Sequence, residues 1–135
     1  MIVGEFNTVA AVDVASGSCE VINDANPELA DRCKLSGFER HGGAFILFGL
    51  VALAMAWGAG VGGSRPAGVA LIVLGTLVIV WTLALDLPET TRTGALGRNF
   101  EGAEAQQGVG LHLALVAGGL TAGAGVIRVL RPPAR

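Results

Sequence analysis

The chain has 135 residues, of which 52% are hydrophobic and only 15% charged, with a formal net charge of -2. Soluble domains carry roughly 25% charged residues, so an ordinary water-soluble core wrapped in polar surface is excluded. The length allows one domain, and the slight acidity, without a basic stripe interleaved with aromatics, excludes a nucleic-acid partner.

Residues 1–42 form the most polar part and read as an extracytoplasmic amino-terminal segment. "MIVGEFNTVAAVDV" has no basic leader and no uninterrupted apolar run, so it is neither a signal peptide nor a membrane span. From Phe6 to Ile22 the pattern alternates loosely and is rich in Val, with "SGS" at Ser16 to Ser18 as a turn. That pattern predicts a small β-hairpin over 7–15 and 19–22, too short to be stable by itself.

Cys19 and Cys33 enclose "EVINDANPELADR", which is acidic and turn-rich. A disulfide is sensible there only in an oxidising compartment, and would contribute roughly 3 kcal/mol by closing the loop. Two free thiols are the competing reading. A metal pair is disfavoured, because the only histidines are His41 and His112 and no CxxC or HxxxH spacing occurs.

Three stretches without Asp, Glu, Lys or Arg follow: His41 to Ser64, Pro66 to Leu85 and Ala105 to Ile127. Each is close to the ~20 residues a helix needs to cross a bilayer, and the backbone in lipid must satisfy itself. The expected fold class is therefore an all-α integral membrane protein. Its three transmembrane helices lie at about 43–62, 67–87 and 111–130 in an antiparallel bundle spanning 43–130. "GGSRP" at Gly62 to Pro66 makes the tight turn between the first two. The connection 88–110 forms an outer loop in which "RNFEGAEAQQG" reads as a short interfacial helix, and 131–135 is a cytoplasmic tail.

Orientation follows from the arginines. Arg65, Arg128, Arg131 and Arg135 sit on one side without any acidic residue, whereas all acids from Glu5 to Glu104 fall on the other together with Arg32, Lys34, Arg40, Arg92 and Arg98. The basic counts are nearly balanced and acids weigh little in the positive-inside rule, so the cysteine pair tips the assignment. The positive-inside rule and the cysteine pair together put the amino-terminal segment outside and the carboxyl terminus in the cytoplasm.

Some apparent motifs dissolve on inspection. Gly58, Gly60 and Gly63 match GxGxxG, yet they close a full membrane span and are followed by Arg65 and Pro66 where a phosphate-binding helix should open. Ala54, Gly58 and Gly62, with Gly119 and Gly123, fit better as small-residue spacing for close helix packing, within the chain or between copies. Asp86 ends the second span and His112 opens the third, making an interfacial polar pair that could titrate near neutral pH. The plainer reading is that Asp86 orders the turn before Pro88 while His112 sits among headgroups. No constellation for catalysis is found, and no cofactor is expected.

The order of an extracytoplasmic segment, the hairpin "HGGAFILFGLVALAMAWGAGVGGSRPAGVALIVLG", then "DLPETTRTGALGRNFEGAEA" and a last helix resembles uncharacterised small membrane proteins of high-GC bacteria. The resemblance covers about 38–130. It implies a tetraspan-like plan in which one further helix precedes the extracytoplasmic segment, and it implies no activity. The expected role is a non-enzymatic accessory or structural subunit of the bacterial cytoplasmic membrane. Its partners are the lipid bilayer and either other membrane protein subunits or copies of itself. A small oligomeric transport or channel component is the alternative, and a lipid-acting enzyme a distant third.

Overall fold

The computed structural model describes residues 1–14, 33–93 and 102–131. In chain order it holds α1 (Ile2–Glu5), β1 (Thr8–Asp13), β2 (Lys34–Ser36), α2 (Gly37–His41) and α3 (Ala44–Val61). There follow α4 (Arg65–Trp81), a π-helical stretch (Thr82–Asp86), α5 (Leu87–Glu89), β3 (Glu104–Gln107) and α6 (Val109–Leu130).

Three helical rods dominate: α3 with 18 residues, the continuous run Arg65–Glu89 with 25, and α6 with 22. At 1.5 Å per residue they measure about 27, 37 and 33 Å, so each is long and apolar enough to cross a ~30 Å hydrocarbon layer. Most of their side chains point away from the chain's own core. Trp57 is 74% exposed, Leu120 70% and Val73 62%, which a monomer in water does not tolerate over so wide a surface.

Local chemistry sets the rod ends. Ser64 caps α4 by accepting from the Ala67 N–H, and Pro66 occupies the first turn, where its missing N–H costs nothing. Between α2 and α3 the chain turns on Gly42 and Gly43, both in the left-handed region (φ 59 and 84). Near the far end of the second rod, Pro88 cannot donate to the Ala84 carbonyl and its ring crowds that group. The helix widens there, and the Leu87 N–H reaches back five residues to Thr82.

A glycine seam joins α4 to α6. A Cβ on Gly75 would lie 2.5 Å from both the Ala122 nitrogen and the Gly118 oxygen. One on Gly125 would lie 2.5 Å from the Gly68 oxygen. Gly75 thus opposes Gly118 and Gly68 opposes Gly125, a seven-residue spacing on both antiparallel helices that brings backbone against backbone. The spacing singled out in the sequence lies elsewhere. Gly119 and Gly123 have open space where a side chain would be, Ala54 is exposed, and Gly58 meets only the Ala67 methyl at 4.0 Å.

Helices α3 and α6 scarcely touch, because both pack on α4. Between them runs an apolar groove of about 370 Å³, lined in equal parts by small residues that include Gly49, Ala52, Ala56, Ala117, Thr121 and Ala124 and by larger apolar ones such as Ile2, Leu53, Leu71 and Leu120. At one end α1 closes it, with Ile2 wedged against Gly49 and Gly4 against Gly110. Elsewhere the core is modest: Phe45, Val78 and Ala114 are buried with Phe48 and Trp81 packed around them, and Ala59, Ala67 and Leu71 form a second group.

The sheet corrects two expectations. It has three antiparallel strands in the order β2-β1-β3, with β1 in the centre. Its registers pair Thr8 with Ser36 on one side, and Ala10 with Gln107 through Asp13 with Glu104 on the other. Both edges of β1 are therefore taken by distant segments; the hairpin arm expected at 19–22 lies outside the described residues. Within the expected interfacial helix, 104–107 is a strand. Gly102 takes a left-handed turn before it, and Gly108 after it lies so close to the Thr8 carbonyl that only glycine fits. The fold is mostly helical with this small sheet at one end, and not all-α.

Cys33 is wholly buried beside β2, its carbonyl accepting from the Val12 N–H at 2.7 Å. Among the described residues no cysteine is free, whereas Cys19 lies outside them.

Candidate functional site

Where the sheet meets the helices, charged groups collect in the interior. Ser36 and Glu39 form a capping box that starts α2: the Ser36 Oγ accepts from the Glu39 N–H, and the Glu39 carboxylate accepts from the Ser36 N–H at 3.0 Å. This short helix delivers Arg40 and His41 in its last turn. Opposite them, the widened turn carries Asp86 to the inner face of the second rod, where it is 1% exposed. Such π-helical turns recur at functional sites.

Asp86 is fully engaged. Its Oδ1 accepts from Arg40 Nε at 2.9 Å, and its two oxygens lie 3.1 and 3.2 Å from His41 Nε2. The Arg40 guanidinium also donates to the Leu85 carbonyl at 3.0 Å.

On the opposite face of the ring stands Glu5, 0% exposed. Its Oε1 accepts from the Phe45 N–H at 2.7 Å. That bond caps the first turn of α3, whose own N-cap, Gly43, has no side chain to do so. The other oxygen, Oε2, faces His41 Nδ1 at 3.7 Å, and neither atom has a hydrogen-bond partner. Phe45 stacks on the imidazole with ring centroids 4.3 Å apart.

Glu5, His41, Asp86 and Arg40 thus form one chain of polar contacts joining α1, α2, the start of α3 and the end of the second rod. The carboxylates address different nitrogens of His41 and do not converge on a common point. A cleft of about 420 Å³ opens beside the cluster, with Trp81, Leu85 and Pro88 as its apolar side and Glu89 and Arg92 at its polar side. Arg92 lies 3.7 Å from Glu89 and is mostly exposed, an ion pair of little energetic consequence.

Asp86 and His112, the two polar residues expected at the outer interface, are not bonded to each other. His112 is exposed, and its Nδ1 lies 3.3 Å from the Gly108 carbonyl within its own helix. The physical reason is the glycine seam: with Gly75 against Gly118 and Gly68 against Gly125, His112 comes level with Trp81 and falls short of Asp86. What sequence reasoning missed was His41, Arg40 and Glu5. A signal for two of them was present, because Gly63 and Ser64 lie midway between residues 41 and 86, so an antiparallel hairpin turning there puts both at the same depth. Glu5 had no such signal. Comparison of the chain with family models, curated proteins and solved structures gives no match.

Proposed function

We propose that the chain is a non-enzymatic integral membrane protein that acts as an accessory or structural subunit, receiving a helix of a partner in the groove between α3 and α6. The observation that carries this reading is the groove itself. It is apolar and faces outward between two helices that barely meet, with a floor of small residues such as Gly49, Ala52 and Ala117 and with Leu53 and Leu120 among the larger side chains that border it. Small side chains let helix backbones approach closely, which is how association gains energy in lipid. Gly119 and Gly123, open on the neighbouring face of α6, extend the same kind of surface.

In this reading the protein lies in the bacterial cytoplasmic membrane. The sheet end faces outward, as the cysteine pair asks of an oxidising compartment, and the turn with Arg65 faces the cytoplasm together with Arg128 and Arg131; Lys34, Arg40 and Arg92 at the sheet end match these three in number, so the cysteines and not the charge carry the orientation. A Cys19–Cys33 bridge belongs to the outer segment, supported by the burial of Cys33 and the lack of a free cysteine among the described residues. The likeness to small membrane proteins of high-GC bacteria fits the same picture. The buried cluster serves as a lock: the bonds of Glu5 to the Phe45 N–H and of Arg40 and His41 to Asp86 tie the amino-terminal segment to the helical hairpin.

A photo-crosslinking amino acid placed at Ala56 or Ala124, in the groove, should yield a protein adduct of one defined mass in native membranes. The same group at Val73, exposed on α4 away from the groove, should yield none. Equal adducts at all three positions, or none at any, would contradict a groove that takes a partner helix.

A further inference from the structure

The end of the helices remote from the sheet has a different chemistry. Arg65 opens α4, Arg128 lies in the last turn of α6 and Arg131 follows as its C-cap. Arg128 is not a loose surface side chain. Its stem packs on α4, with Cγ 3.2 Å from where a Cβ on Gly68 would stand, and its guanidinium folds over the turn at Gly63. Both glycines leave room for it. The Nε is buried and has no hydrogen-bond partner, and no described carboxylate lies at this end: Glu5, Asp13, Glu39, Asp86, Glu89 and Glu104 are all on the sheet side.

A held guanidinium whose buried Nε has no hydrogen-bond partner, at the end of three apolar rods with no described carboxylate near it, calls for an anion. Arginine's planar fork matches a phosphate oxygen pair, and it binds such groups with charge-assisted hydrogen bonds. We propose that this end of the protein holds the headgroup of an anionic phospholipid, with Arg128 as the fixed contact and Arg65 and Arg131 flanking it. This rests on the membrane reading given above. The ligand is a lipid and not a free phosphate, because apolar helix surface continues from the arginines along the path an acyl chain would follow, with Val69, Val126 and Ile127 exposed there. Basic clusters at the membrane surface select anionic lipids by the same electrostatics.

The test uses the full chain purified in mild detergent, with bound phosphatidylglycerol and phosphatidylcholine counted by native mass spectrometry. Wild type should retain phosphatidylglycerol preferentially, and an Arg65→Gln/Arg128→Gln variant should lose at least fivefold of that preference. Arg128→Lys should keep part of it, which separates lost charge from lost packing. Millimolar inorganic phosphate should not displace the lipid. Equal retention of both lipids by wild type, an undiminished preference in the double variant, or displacement by phosphate would each overturn the proposal. Reconstitution into phosphatidylcholine vesicles and resistance to alkaline extraction are scored separately. Failure there removes the membrane reading and this proposal with it, whereas success without lipid preference removes this proposal alone.

Discussion

Gly75→Leu should unseat α6 from α4 and lower stability in detergent by about 3 kcal/mol or more, at the upper end of what overpacking costs. The atoms it would strike are the Ala122 nitrogen and the Gly118 oxygen, which are backbone and cannot rotate aside. Leucine favours a helix over glycine by roughly 0.8–1 kcal/mol, which offsets only part of the loss. Gly60→Leu is the matched control. It makes the same change in α3 where nothing lies within 4 Å, and it should be neutral or slightly stabilising. Thermal unfolding of both variants in one detergent checks the contrast. Equal midpoints would mean that the seam is not a close contact.

The second large effect is expected at Asp86. Asp86→Ala leaves Arg40 and His41 facing each other without the carboxylate that both address, and removing one partner of a buried charge pair costs about 3–5 kcal/mol. Arg92→Ala, which removes a pair on the exposed side of the same cleft, should cost no more than about 1 kcal/mol. Adding Arg40→Leu to Asp86→Ala should recover part of the loss, since the stranded charge goes with it. Chemical unfolding of the three variants is the measurement. If the double variant is no more stable than Asp86→Ala alone, the cost does not come from an uncompensated cation.

The three rods were legible because charge-free runs of bilayer length survive any detail of packing. Their boundaries moved only to Ala44–Val61, Arg65–Glu89 and Val109–Leu130. What decided the site was finer. Pro88 was visible as a helix breaker, yet its effect is to widen the turn before it, at the stretch that ends in Asp86, whereas the helix register that keeps His112 from Asp86 is set by the glycine seam. Hydrophobic periodicity could not choose between Gly118 and Gly119 as the inward glycine, since both sit in an apolar run and only the seven-residue match with Gly68 and Gly75 separates them. The sheet was hardest to foresee. Its centre, Thr8–Asp13, pairs with strands centred some 25 and 95 residues away, and loop closures of that length leave no local mark in the sequence.

In the proposed topology the sheet and the arginine turn lie on opposite sides of one membrane. The direct measurement is labelling by a membrane-impermeant thiol reagent in intact cells, applied to Cys19 and Cys33 before and after reduction and to a Ser64→Cys variant lacking both. Labelling of the native cysteines only after reduction, with Ser64→Cys reached only once the cells are broken, is the expected result. Labelling of Ser64→Cys in intact cells, or native cysteines that stay silent until lysis, would contradict it.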